Sequence, residues 1–164
     1  MFLRIEHIGE RKLVGIKIRT SLAEDLTRDL WQRFKPLART IRGRESTGFY
    51  SVEVFDERTS FENFTPTTVF EKWAAVEVAD LGGVPDEMDA LTLSGEYAVF
   101  LHTGLPSDFP ATSGYIFGEW LPASGYAVDD RPHFEIMTAD YRPDDPEATE
   151  EIWVPIKTRN DAAA

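Results

Sequence analysis

Cysteine is absent from the sequence. That excludes disulfides, thiolate zinc sites, cysteine-ligated iron–sulfur clusters and cysteine nucleophiles in one step. Basic residues are scarce beside acidic ones: 17 Lys and Arg stand against 29 Asp and Glu, a formal net charge of −12. Sequence-independent nucleic-acid binding rests on neutralising phosphates with Lys and Arg, so this balance argues against it. The basic cluster Arg39, Arg42 and Arg44 suits the end of a helix, where cations complement the dipole. Long apolar runs are missing too, and no stretch approaches the ~20 residues a membrane span needs. The start, Met1-Phe2-Leu3-Arg4-Ile5-Glu6-His7, meets charge too early for a signal peptide. A cytoplasmic protein with no nucleic-acid or membrane partner is the expectation.

Several kinds of catalytic machinery are missing as well. Nothing reads Gly-x-Ser-x-Gly, and His7, His102 and His133 are scattered through separate segments. No His-x-x-x-His pair occurs, and His7 with Glu10 has no evident third ligand for a metal. There is no phosphate loop of the Gly-x-x-x-x-Gly-Lys type. The acid turn Asp144-Asp145-Pro146-Glu147 lacks a calcium-loop signature. Neither a metal nor a cofactor is expected.

What is present fits one domain: 164 residues, 42% of them apolar, enough to bury most of an ordinary core. Leu13 to Ile18 alternates as a strand. Ser21-Leu22-Ala23-Glu24 has the form of a capping box, and Leu22, Leu26, Leu30, Phe34, Leu37 and Ile41 follow at helical spacing. Pro36 kinks that helix or ends its regular part. Phe49 to Phe55 and Thr68 to Val78 read as strands, and Ala79 to Ala90 as a loop. The order then starts again: a strand over Gly95–Leu101, a short helix over Ser113–Leu121 closed by Pro122 and Gly125, and strands over His133–Ala139 and Glu151–Lys157.

Both halves, about 1–80 and 93–158, run strand, helix, strand, strand. A period near 80 residues is too long for a solenoid, whose repeats are about 20–50 residues. It fits a duplicated half-domain with pseudo-twofold symmetry. The economical architecture is α+β, an antiparallel sheet with two helices on one face. The single domain is expected to end near residue 158, with 159–164 as a disordered tail.

The face without helices then carries the interest. In the last strand Ile152, Val154 and Ile156 form one face, while Glu151, Trp153 and Pro155 form the other. The aliphatic set is expected to face the helices. Applied to the other strands, the same reasoning sends Phe134 and Ile136 inward and Glu135 and Met137 outward. It sets Tyr50, Val52 and Val54 opposite Ser51, Glu53 and Phe55, and Trp73 opposite Ala74 and Val76. Glutamates among Trp, Phe and Met suggest a cavity for something apolar and cationic, with ring burial giving affinity and a carboxylate discriminating. The alternative is that these rings cover a sheet edge and the glutamates are solvated.

Several motifs carry a family resemblance. They are Gly95-Glu96-Tyr97-Ala98-Val99-Phe100, Tyr115-Ile116-Phe117-Gly118-Glu119-Trp120-Leu121-Pro122, Ser124-Gly125-Tyr126, Asp130-Arg131-Pro132-His133-Phe134-Glu135 and Glu150-Glu151-Ile152-Trp153-Val154-Pro155-Ile156-Lys157. Taken in order, they resemble the GyrI-like small-molecule-binding domain, which is also the effector-binding domain of AraC- and MerR-type transcription regulators. The resemblance covers essentially the whole chain, less sharply in the first half through Leu30-Trp31-x-x-Phe34 and Tyr50-Ser51-Val52.

It implies a duplicated unit with a ligand groove at its pseudo-symmetric centre, and a glutamate before the last strand's hydrophobic-x-x-Pro motif that receives cationic, lipophilic ligands. Glu151 matches that glutamate. Tyr97, Trp120, Trp153, Trp73 and Phe55 are the closest matches to the aromatic lining. Tyr50, Tyr97 and Trp120 face either the groove or the core, according to registers that periodicity leaves open.

No helix-turn-helix pattern flanks the motifs, so a stand-alone member is expected. The favoured reading is a sensor or sequestering protein for lipophilic, cationic or electrophilic small molecules, with Glu151, Trp153, Tyr97, Trp120, Trp73, Phe55, Tyr50, Glu135 and Met137 as ligand-binding candidates. The alternative is hydrolysis of strained electrophilic rings of the cyclopropane type, with Glu151 activating water. A second alternative is an acidic protein-interaction module such as a gyrase inhibitor. Oligomers are compatible with an antiparallel sheet that has edges to pair.

Overall fold

In the computed structural model, residues 1–60 and 63–159 are described. The first strand is far longer than the alternation over Leu13–Ile18 suggests: β1 runs Phe2–Thr20. Its register against its neighbour slips between Phe2 and Arg4 and again between Ile8 and Arg11, around Gly9. An irregularity of this kind shifts the side-chain parity. Arg4, Glu6 and Ile8 therefore share a face with Arg11, Leu13 and Lys17, and Ile8 and Leu13 meet in one apolar cluster.

Helix α1 covers Thr27–Ala38, a shorter span than the apolar spacing suggests. Ser21 Oγ does accept a bond from the Glu24 N–H at 3.1 Å, but it closes a turn ahead of the helix. The Thr20 hydroxyl then takes the Leu26 N–H at 3.0 Å. Leu30, Phe34 and Ala38 form the buried stripe, and Pro36 sits inside the last turn with the helix ending two residues later. Strands β2 (Phe49–Val54) and β3 (Phe70–Val78) complete the first half.

The second half opens on β4, Asp89–Thr103, which extends further at both ends than the Gly95–Leu101 motif. A helical segment follows: a 3-10 turn at Pro106–Asp108, α2 at Phe109–Tyr115, a π turn at Ile116–Trp120 and α3 at Leu121–Ser124. Pro122 lies within α3 instead of closing the helix. The stop comes at Gly125, whose φ of +78° is the left-handed conformation that favours glycine. Strands β5 (Tyr126–Val128), β6 (His133–Met137) and β7 (Thr149–Thr158) finish the chain, β5 being an element the sequence pattern did not reveal. Of the expected tail, only Arg159 lies among the described residues.

Among the described residues the seven strands are ordered β4-β1-β3-β2-β6-β7-β5, with β4 also paired to β7. All pairings are antiparallel. Each half contributes the same order, β1-β3-β2 and β4-β7-β6. The halves join twice, through β2–β6 and through β1–β4. The hydrogen bonding thus comes full circle, and the sheet has an inner face and an outer face. This is the α+β architecture of two helices on an antiparallel sheet, drawn into a ring.

The outer face carries both helix contacts. Val14, Ile16, Ala74 and Val76 pack with Leu30 and Phe34 of α1. Ala98, Phe100, Ile152, Val154 and Ile156 pack with Ile116 and its helical neighbours. The inner face holds a third cluster that includes Ile8, Leu13, Tyr50, Val52, Trp73, Tyr97, Phe134 and Trp153. No helix among the described residues is long and apolar enough to cross a membrane.

Candidate functional site

The inner face is aromatic at its floor and charged above it. Register lines up Trp73, Val52, Phe134 and Trp153 across β3, β2, β6 and β7. Phe134 stacks on Trp153 with ring centroids 5.1 Å apart and planes 17° apart. Tyr97 meets both rings edge-on, at 5.0 and 6.0 Å, and Tyr50 lies 5.7 Å from Phe134. Such offset and edge-on pairs add to the area the rings bury. Burial pushes the phenols of both Tyr50 and Tyr97 up to about 12, so both remain neutral donors. Tyr97 donates to the Pro132 carbonyl at 2.9 Å, and Tyr50 donates to Glu77 at 3.0 Å while accepting from Arg11.

Glu151 stands at the edge of this floor. Its Oε2 accepts the Trp153 indole N–H at 3.0 Å, a contact that strand alternation makes natural for residues two apart. The other main partner comes from β1: Arg4 reaches Glu151 Oε1 at 3.2 Å and Glu6 at 2.6 Å. The same guanidinium lies 5.3 Å from the Trp153 ring centroid, and Arg11 lies 4.9 Å from it. A carboxylate, an indole and a cation thus form one compact unit built wholly from this chain.

Arg131 closes one end of the face. It donates to the carbonyls of Ser94, Glu96 and Ile156 at 2.7, 2.6 and 3.0 Å and lies 4.8 Å from the Tyr97 ring. Its bond to Asp129 holds that carboxyl below its ordinary range. Among the described residues no group of three or more His, Cys, Asp or Glu is arranged to hold a metal.

Glu151, Trp153, Tyr97, Trp73 and Tyr50 are brought together on the inner face. The other expected residues are not. Phe55 belongs to an outer-face cluster with Phe64, Phe70 and His133, at 5.9, 5.4 and 5.2 Å. Trp120 stacks on Phe2 at 4.9 Å and meets Phe100 at 5.1 Å, beneath the second helical segment. Glu135 and Met137 also point outward, to the helix side. The expected facing of β6, and of Glu53 and Phe55 on β2, is therefore reversed: Tyr50, whose facing periodicity left open, Val52 and Val54 lie on the inner face, as do Phe134 and Ile136. The reason is that the closed ring buries apolar side chains on both of its faces, so an aliphatic or aromatic set does not by itself mark the helix side.

Glu135 joins a buried polar group instead. Glu53 pairs with Lys72, and Oε2 of Glu135 is buried without a hydrogen-bond partner among the described residues. Burial, then the Glu53 charge, raises the Glu135 carboxyl well above its ordinary value, favouring its neutral form. Lys72 loses solvation too, yet the carboxylates around it more than compensate and keep it charged.

Inner-face residues that the sequence reading missed are Arg4, Glu6, Arg11, Lys17, Glu71, Glu77, Phe134 and Arg131. One signal was available, the recurrence of Glu-x-Trp at Glu71–Trp73 and Glu151–Trp153. The Gly9 irregularity, which decides where the arginines of β1 point, leaves no comparable trace.

Two quasi-equivalent halves enclosing an aromatic face with a carboxylate at its edge define a small-molecule-binding domain. Residues 1–157 match the GyrI-like small molecule binding domain, and the chain belongs to that family. Similar solved structures share the fold. SAV2435 bound to tetraphenylphosphonium gives a TM-score of 0.71 at 18% identity, covering 96% of this chain and 94% of that one. EcmrR in its complex with DNA gives 0.70 at 13%, covering 95% of this chain and 57% of that one. A hydrolase from Listeria innocua gives 0.62 at 12%, covering 94% and 91%. No curated protein matched the chain.

Proposed function

We propose that the protein binds lipophilic cations on the inner face of its sheet, as a sensor or a sequestering protein. Ring burial supplies affinity, and Glu151 selects for positive charge. The observation that carries this reading is the Glu151–Trp153–Arg4 unit, in which a carboxylate and an indole already hold a cation between them. A foreign cation with an apolar body that displaces Arg4 meets the same two groups, with the Phe134 and Tyr97 rings packed behind the indole. Both oxygens of Glu151 already accept hydrogen bonds, from the Trp153 indole and from Arg4. That pairing geometry is what a ligand's cation would take over, so binding is favoured over hydrolysis.

The test is calorimetric titration with tetraphenylphosphonium, the ligand of a similarly folded protein. Binding to the wild-type chain, with a binding event lost or weakened at least tenfold in Glu151→Gln and the fold retained by circular dichroism, is the expected result. An isotherm unchanged in Glu151→Gln would remove Glu151 from its central role.

A further inference from the structure

The Glu151 unit has a counterpart in the other half. On β3, Trp73 donates its indole N–H to Glu71 Oε1 at 2.6 Å, as Trp153 does to Glu151. A cation again completes the unit: Lys17 Nζ lies 5.3 Å from the Trp73 ring centroid and 3.8 Å from Glu71 Oε2. The local sequences are Glu71-Lys72-Trp73 and Glu151-Ile152-Trp153. In both, alternation sends the glutamate and the tryptophan to the inner face and the middle residue outward.

The two units do not converge on one point. Trp73 and Trp153 occupy one line of register, three strand spacings apart, which is at most about 14 Å along the sheet. β3 and β7 run in opposite directions, because three antiparallel pairings separate them. Residues two before each tryptophan therefore lie on opposite sides of that line, and the carboxylates diverge. A single cationic centre cannot pair with both.

We propose that Glu71 and Trp73 form a second cation site, so that the groove receives two lipophilic cationic groups, one per half. For the class of ligand this rests on the function proposed above, while the residues it invokes are different ones. Lys17 serves as the internal stand-in for the ligand's charge, as Arg4 does at Glu151. The two stand-ins are not held alike. Arg4 is fixed by Glu6 at 2.6 Å and by Glu151 at 3.2 Å. Among the described residues Lys17 has one carboxylate contact, at 3.8 Å, beyond hydrogen-bond distance. Its ammonium is a point charge on a flexible stem, without the planar fork that fixes a guanidinium. The exposed Lys17 ammonium lies over the buried Trp73 ring without any second partner to fix it there among the described residues. The Glu71 site is thus the easier of the two to open.

The experiment is calorimetric titration of the full chain with tetraphenylphosphonium, in the wild type, Glu71→Gln, Glu151→Gln and Lys17→Met. Two cations per chain are expected in the wild type and one in each glutamine variant. Lys17→Met, which removes the stand-in and leaves the carboxylate, is expected to tighten one of the two events about threefold or more. A wild-type stoichiometry of one that Glu71→Gln leaves unchanged overturns the second site while the function proposed above stands. Loss of the event in Glu71→Gln together with no effect of Glu151→Gln overturns the role of Glu151 and keeps that of Glu71. No binding at all overturns both. A bis-quaternary alkane used as a second probe tells whether one molecule supplies both groups, by binding one to one and losing affinity in either glutamine variant.

Discussion

Arg4 crosses from β1 to Glu151 on β7 and meets its carboxylate with both terminal nitrogens, Nη1 at 3.2 Å from Oε1 and Nη2 at 3.5 Å from Oε2. The two side chains remain 42% and 31% exposed, so solvent and salt screen the pair. Exposed pairs of this kind contribute about 0–1 kcal/mol. Arg4 is therefore a weak occupant of a position that a better-suited cation can take.

Removing that occupant favours the ligand. Arg4→Met keeps an apolar stem over the Trp153 ring and deletes the charge that competes for Glu151. Stability is expected to change by less than about 1 kcal/mol. Tetraphenylphosphonium is expected to bind up to about fivefold tighter, the equivalent of 1 kcal/mol. Titration calorimetry at low salt measures it. Weaker binding would mean that the guanidinium contributes to the ligand's site instead of competing for it.

His133 gives the protein an acid limb. Its ring packs among Phe55 and Phe117 on the outer face, at 5.2 and 6.4 Å. Burial first, and then the Arg131 charge, lowers it from 6.5 to about 4. The unfolded chain binds the extra proton first, so the stability His133 contributes is fully present above pH 6.5 and is lost as the pH falls toward 4. The full window is worth on the order of 3 kcal/mol. Urea unfolding at pH 7.5 and pH 5 is expected to show a smaller loss in His133→Gln than in the wild type. Parallel losses in the two proteins would refute the assignment.

The duplicated order of elements, the two helices and the antiparallel sheet were legible because apolar spacing reports period directly. Glu151 and Trp153 were legible for the same reason, since Ile152, Val154 and Ile156 fix the other face of β7 against Ile116. β2 and β6 were misread because a closed sheet is apolar on both faces. Tyr50 and Phe134 look like core, and they are core, but on the inside. Trp120 and Phe55 depended on a helix and a strand end whose neighbours are distant in sequence. Closure of the ring is set by the β1–β4 and β2–β6 pairings, which are long-range events that leave no local periodicity.

Gly15 tests how closely β1 approaches β3 within the first half. It lies on β1 opposite Ala75. A Cβ built there would run into the Ala74 carbonyl oxygen and stand 2.7 Å from the Ala75 Cα. Backbone atoms cannot swing aside, so Gly15→Ala is expected to destabilise by about 2–3 kcal/mol, the cost of overpacking a filled interior. Gly9, on the same strand, has nothing within 4 Å of its built Cβ. Gly9→Ala is the control and should stay within about 0.5 kcal/mol. Thermal or urea unfolding of the two variants distinguishes close approach from a general dislike of side chains in β1.

Glu135 supplies a limb of opposite sign to that of His133. It shares the outer face with Glu53 and Lys72, and Glu150 and Tyr141 feel the same cluster. Burial and the Glu53 charge raise its carboxyl above the ordinary 4.5, so between that value and its folded value the native state binds the proton more tightly than the unfolded chain. Its contribution is fully present below pH 4.5 and is lost as the pH rises through the folded value. Glu135→Gln fixes the neutral form and is expected to flatten the fall in stability as the pH rises above 4.5. Lys72→Met leaves the Glu53 carboxylate buried without its cation, and is expected to cost about 3–5 kcal/mol at neutral pH. Urea unfolding across that range measures both. If Glu135→Gln follows the wild-type slope, Glu135 is not the group that titrates. If it flattens the slope while Lys72→Met costs little, the Lys72–Glu53 pair is not what keeps the cluster in place.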